Sequence, residues 1–178
     1  MIVCEAPPAR AGVALWLVPT GVDAAALKEQ VEGLAHELGT PRFDPHLTLL
    51  SRLPAGEPDL VTRAAQLAGE LAELELTVAE PEESPAFYRC VTLRVKDRVP
   101  LRDARRRAER IFAFTPEEDF EPHLSVVYGD FGEPRRLALA ARLAEFSERT
   151  LIARFLDVMD VEGAPADWRR LARLPLDE

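Results

Sequence analysis

Phe43-Asp44-Pro45-His46-Leu47-Thr48 recurs downstream as Phe120-Glu121-Pro122-His123-Leu124-Ser125. Every position keeps its chemistry: aromatic, acid, Pro, His, Leu, hydroxyl. The chain has only 3 histidines, and this repeat uses two of them. Histidine is the side chain best suited to moving protons near neutral pH. In a strand, residues two apart share a face. His46 therefore projects with Thr48, and His123 with Ser125, while Leu47 and Leu124 point the other way into a core. The proline before each histidine favours extended backbone at the residue ahead of it and withholds a backbone donor. That starts each strand cleanly and aims the ring.

Apolar spacing supplies the elements around the repeat. Gly12 to Val18 reads as a buried strand closed by Pro19. Asp23 to Leu38 reads as a helix, with Leu27, Val31, Leu34 and Leu38 on one face and Gly39 where a helix-ending glycine belongs. His46 to Leu53 is a strand ended by Pro54, and Asp59 to about Leu71 a second helix. Glu75 to Ala79 and Phe87 to Val95 read as strands. Pro100, in a favoured first-turn position, opens a third helix with the stripe Leu101, Ala104, Ala108 and Ile111. His123 to Tyr128 is a strand ended by Gly129, and Pro134 to Phe146 a fourth helix. Leu151 to Val161 and Trp168 to Leu174 supply the last strands. The order strand-helix-strand-helix-strand thus occurs twice, and each hexapeptide falls in a strand that follows a helix. We expect an α+β fold with two pseudo-symmetric lobes, each a small, mostly antiparallel sheet with helices on its outer face. Residues 1–178 then form a single bilobal domain with a central cleft, and one histidine strand enters the cleft from each side. Glu80 to Pro85 is the most loop-like segment, a hinge or crossover.

The bounds on function are broad. A chain of 178 residues can bury a sizeable core. Its net charge of −9 argues against broad electrostatic capture of nucleic acid, although a local basic cleft could take a small anion or an RNA end. Cys4 and Cys90 fit neither a metal-ligand spacing nor a disulfide framework, and two free thiols are expected. No apolar run approaches the ~18 residues of a membrane span, and no charged segment leads into an apolar one. A soluble cytoplasmic monomer without a membrane partner is expected.

The paired motif fits the hydrolysis of a cyclic phosphodiester. That reaction needs a base for the attacking water and an acid for the departing alkoxide on the far side of phosphorus. Two histidines from opposing strands can supply both, each contributing about 10²–10⁴-fold. Thr48 and Ser125 can donate to the non-bridging oxygens, where charge accumulates. If both rings contact one phosphate, their facing nitrogens lie roughly 5–7 Å apart. No metal and no cofactor are required.

The pair Pro45-His46-Leu47-Thr48 and Pro122-His123-Leu124-Ser125 resembles the His-x-Thr/Ser signatures of the two-histidine (2H) phosphoesterase superfamily. His123 to Asp130, the opening strand Leu15-Trp16-Leu17-Val18-Pro19, and Trp168 with Leu174-Pro175-Leu176 are similar to its cyclic phosphodiesterase branch. The resemblance implies catalytic roles for His46 and His123 and phosphate binding by Thr48 and Ser125. It also implies a substrate-side aromatic at Tyr128, and Trp16 beside a sugar or base. The implied substrates are nucleoside 2′,3′-cyclic phosphates, opened to the 2′-phosphate, and ADP-ribose 1″,2″-cyclic phosphate. Two other readings stand beside this one: an enzyme of RNA 2′,3′-cyclic ends related to 2′-5′ ligases, and a non-catalytic sensor of cyclic nucleotides.

Plainer roles are also assigned. His36 is an exposed bystander on the first helix. Arg102, Arg105, Arg106, Arg107 and Arg110 surround an apolar stripe and cover the wet face of the third helix. Asp44 and Glu121 are solvated acids at strand entries, with orientation of the histidines as the alternative. For Tyr128 and Trp16 core packing is the competing role.

Overall fold

The computed structural model describes residues 11–56, 59–96, 98–116 and 119–177. In chain order these residues form β1 (Val13–Thr20), α1 (Val22–Leu38), β2 (Leu47–Leu53), α2 (Leu60–Gly69), β3 (Leu74–Glu83), β4 (Val91–Val95), α3 (Val99–Phe112), β5 (His123–Val127), α4 (Glu133–Arg142), β6 (Thr150–Asp160) and β7 (Arg169–Pro175). Helix α1 buries Leu27, Val31 and Leu34. It ends at Gly39, whose φ of 67° is the left-handed conformation that glycine adopts without steric cost and whose N–H donates to the Ala35 carbonyl. Helix α3 buries Leu101, Ala104, Ala108 and Phe112. Phe112 rather than Ile111 completes its stripe.

The strands join in the order β1-β2-β5-β4-β3-β6-β7, and β1 also pairs with β6. Every pairing between these strands is antiparallel. The length of β6 makes closure possible. Its residues 150–153 pair with β3 and its residues 155–160 with β7, while its other edge runs along β1. Six strands thus close on themselves and β7 extends one side. This corrects the expectation of one small sheet per lobe: Leu47 pairs with Leu124, so the two repeat strands are direct neighbours in a continuous sheet.

Strand β1 is buried on both faces, which explains its unbroken apolar sequence. Leu15 and Leu17 enter the main core with Leu27, Val31, Leu34, Leu47 and Leu124. Ala14, Trp16 and Val18 join Met159 and Val161 in a second cluster. Gly12 leads into β1 at φ 89°, and a Cβ there would lie 2.5 Å from the Leu53 carbonyl oxygen.

Two local expectations are corrected. Residues 80–83, read as loop, belong to β3, because a register shift between Val78 and Pro81 accommodates the proline within the ladder. Phe87 and Tyr88, read as strand, form the short 3₁₀ turn Phe87–Arg89. The turn places the Tyr88 ring against Tyr128 and Trp168.

Candidate functional site

The Leu47–Leu124 pair sets the register of the repeat strands. Counting outward along antiparallel chains, His46 lies across from Ser125, and Thr48 across from His123. Each histidine is therefore matched in register with the hydroxyl of the other copy. The two histidines are thus diagonal to one another across the Leu47–Leu124 pair. The rows continue sideways. Thr92 pairs with Ser125 and Arg94 with His123 on β4, and Trp16 pairs with Thr48 on β2 and with Asp157 on β6. Leu47, Leu93 and Leu124 occupy the opposite face and are fully buried.

Both imidazoles are held in the same way. Nδ1 of His46 lies 2.7 Å from the Asp44 carbonyl oxygen, and Nδ1 of His123 lies 2.7 Å from that of Glu121. A carbonyl can only accept, so Nδ1 carries the hydrogen and donates it, and Nε2 is the nitrogen that exchanges a proton. The same two acids anchor the strand entries through their carboxylates. Lys28 Nζ of α1 lies 2.8 Å from Asp44 Oδ1, and Arg89 Nη1 lies 2.7 Å from Glu121 Oε2. The hydrogen bond to Asp44 holds Lys28 above its ordinary pKa. The hydrogen bond from Arg89 holds Glu121 below its own.

A cleft of about 800 Å³ opens over these strands. Thr48, His123, Ser125 and Tyr128 line it, with Arg52, Tyr88, Arg89, Arg105 and Phe120 around them. His46 lies deeper. It is 3% exposed, and its ring stacks on Trp16 with centroids 3.4 Å apart and planes 9° from parallel. Trp16 is 5% exposed, so its surface goes to His46 and to Trp168, 5.9 Å away edge-on. Tyr128 is 2% exposed and stacks on Phe43 at 3.9 Å. The aromatic residues of the first hexapeptide and of β1 thus form a backing wall behind the first histidine.

Several residues at the cleft escaped the sequence reading. Arg105, expected on the wet face of α3, has a side chain only 11% exposed. Its guanidinium donates to the Leu49 carbonyl, pairs with Glu109 at 2.7 Å and lies 5.1 Å from the centre of the Phe120 ring. Helical spacing could not reveal this, because Arg105 borders the apolar stripe and its direction depends on the neighbouring strand. Arg52 sits at the cleft with φ 63°, a conformation uncommon for a non-glycine residue. Thr92 is buried beside Ser125; a hydroxyl between Val91 and Leu93 was the one available signal. Behind Trp16, Asp157 is 3% exposed and accepts two hydrogen bonds of 2.7 Å from Arg173.

Elsewhere, His36 is exposed on α1. Cys90 is a free thiol in the core, and burial pushes its pKa up to about 11; Cys4 lies outside the described residues. Among the described residues no three His, Cys, Asp or Glu side chains are gathered so as to hold a metal ion. Among them, no helix is long and apolar enough to cross a membrane.

Comparison with known proteins adds to this geometry. The sequence model of the 2′-5′ RNA ligase superfamily matches residues 18–160. A cyclic phosphodiesterase of Arabidopsis thaliana is 25% identical over 124 residues, covering 68% of this chain and 67% of that protein. Among solved structures, Escherichia coli LigT complexed with 3′-AMP superposes with a TM-score of 0.58 at 14% identity, over 96% of this chain and 99% of its own. A phosphoesterase superposes with a TM-score of 0.62 at 16% identity, over 95% of this chain and 100% of its own. These likenesses in structure establish the fold.

Proposed function

The chain belongs to the 2′-5′ RNA ligase superfamily of two-histidine phosphoesterases, and from that premise we propose that it hydrolyses a small cyclic phosphodiester without a metal. The observation that carries the proposal is the matched pair of imidazoles. His123 opens β5 and His46 directly precedes its neighbour β2, and each Nδ1 is held by the carbonyl two residues before it. The likeness to a plant cyclic phosphodiesterase supports the same reading.

In the proposed reaction the cyclic phosphate of a nucleoside 2′,3′-cyclic phosphate, or of ADP-ribose 1″,2″-cyclic phosphate, binds beside Thr48 and Ser125. Nε2 of one neutral histidine takes a proton from water as the water oxygen bonds to phosphorus. Nε2–H of the other, protonated histidine gives its proton to the ribose oxygen as that P–O bond breaks. The product is a monoester, the 2′-phosphate in the nucleoside case. The two hydroxyls donate to the non-bridging oxygens as charge builds there. Trp16 fixes the plane of the His46 ring, and Tyr128 with Phe43 closes the wall beside it. A proton-transferring ring needs only its Nε2 edge toward substrate, so stacking on Trp16 is compatible with that role.

The test is a panel of nucleoside 2′,3′-cyclic phosphates and ADP-ribose 1″,2″-cyclic phosphate in excess EDTA, with product regiochemistry read by phosphorus NMR. We expect turnover to the 2′-phosphate, and a loss of about 10²–10⁴-fold in kcat for His46→Ala and for His123→Ala. Turnover of neither class, or a variant at wild-type rate, would refute the reaction or the site respectively. Binding without product would instead identify a sensor. Arg52, Arg89 and Arg105 at the cleft favour a second reading, action on the cyclic end of an RNA. A higher kcat/KM for oligonucleotides than for mononucleotides would select it.

A further inference from the structure

His123 stands in the wall between two cavities. Beyond the main cleft lies a second cavity of about 440 Å³, whose lining includes Arg89, Arg94, Lys96, Glu82 and Phe120. Arg89, Phe120, Glu121 and His123 line both spaces, so a ligand seated at His123 in the main cleft borders the second cavity directly. Two of the three cations lie on or just past β4. Arg94 is paired with His123 in register, and Lys96 follows two residues later.

The cations are held in readiness by carboxylates: Arg89 by Glu121 at 2.7 Å, Arg94 by Glu80 and by Glu82 at 3.5 Å, and Lys96 by Glu148 at 2.6 Å. The cationic side chains are 38–51% exposed, and exposed pairs of this kind contribute little to stability. An incoming anion can therefore exchange with the carboxylates on Arg94 and Lys96 at small cost, while Arg89 stays on Glu121. The main cleft is already within the size range that encloses a small ligand, so the second cavity is available for a group beyond the reacting ester. Beyond its cyclic ester, the reacting sugar carries groups that need space of their own. In a nucleoside 2′,3′-cyclic phosphate one is the base, a flat, uncharged ring suited to Tyr88 and Phe120; in ADP-ribose 1″,2″-cyclic phosphate the ester itself occupies C1″ and there is no base. The sugar's 5′ oxygen carries phosphate in both ADP-ribose and an RNA end. Arg94 and Lys96, freed from their exposed carboxylate partners, suit that phosphate beside His123.

We propose that the cavity formed by Arg89, Arg94 and Lys96 binds a phosphate on the 5′ oxygen of the sugar whose cyclic ester is opened. The proposal rests on the cyclic phosphodiesterase reading for its orientation, but its test can be read without turnover. Calorimetry compares adenosine 2′-phosphate with adenosine 2′,5′-bisphosphate. The second phosphate should tighten binding by about tenfold or more, as charge-assisted hydrogen bonds do. That advantage should shrink toward one in Lys96→Met and in Arg94→Met, each checked by its melting temperature. Equal affinities in the wild-type protein, or an advantage that survives both substitutions, overturn the inference and leave the catalytic reading standing. An advantage without turnover of any cyclic ester keeps the site and removes the reaction. Comparing ADP-ribose 1″,2″-cyclic phosphate with a dinucleotide 2′,3′-cyclic phosphate then separates the two sources of that phosphate.

Discussion

Each imidazole gives its Nδ1–H to a main-chain carbonyl, and that one bond decides which nitrogen can exchange a proton with substrate. The carbonyls belong to Asp44 and Glu121, whose carboxylates are tied to Lys28 and Arg89. The acids of the repeated hexapeptide are therefore anchors for the turn that aims each ring. We expect Glu121→Gln to lower kcat by about three- to tenfold, less than the ~10²-fold that a 1 Å misplacement can cost, with KM within about twofold. The pH dependence has a definite sign. Arg89 holds Glu121 below its usual 4.5, so the anchor is complete above the ordinary carboxylate range and is lost only as pH falls through the lowered value. The defect of the variant should therefore be constant from about pH 6 to about pH 9, whereas a change of catalytic acid or base would move a limb of the profile. At this scale the repeat made His46, Thr48, His123 and Ser125 legible as candidates, because residue type and spacing two are properties of a few adjacent positions. Arg105 and Tyr88 were not legible, because helical and strand periodicity say nothing about which neighbour a border residue meets.

Elements were read well where one apolar face governs them, as in α1, α2 and α3, and less well where pairing governs them. Residues 80–83 carry acids and a proline and look like a loop, yet they pair with β4 across a register shift. The partner strand supplied hydrogen bonds that local composition does not reveal. Phe87 and Tyr88 have strand-forming side chains, yet they turn, bringing Tyr88 onto Trp168 from the far end of the chain. Gly12 is the element-level position with the sharpest requirement. Its φ is positive, and the Leu53 carbonyl oxygen would stand 2.5 Å from any Cβ, so no side chain fits. Gly12→Ala should destabilise the β1–β2 junction by about 1–3 kcal/mol, read as a lower denaturant midpoint at unchanged slope.

The whole molecule depends on closure of its sheet through β1 and β6. Next to that seam, the buried Asp157 carboxylate is satisfied by Arg173, with Arg170 3.6 Å away. Arg173→Met leaves much of that charge unpaired and should cost about 3 kcal/mol, a drop in Tm of roughly 6–12 °C for a chain of this size. Adding Asp157→Leu should recover most of the loss, since removing both partners is far less costly than removing one. Cys90, buried and with its thiol raised to about 11, should stay unalkylated at about pH 8 in the native protein and react on unfolding, as mapped by peptide mass. The sequence by itself determined the α+β class, the run of strands and helices, the family resemblance and the pair of His-x-hydroxyl motifs, because periodicity and motif chemistry are written in neighbouring residues. Only the tertiary structure decided that the two motif strands are neighbours in one closed sheet, that each histidine is in register with the other copy's hydroxyl, and that a tryptophan from β1 backs one ring. Those relations are set by register and closure between strands far apart in the chain, where a shift of one residue would turn every side chain to the other face.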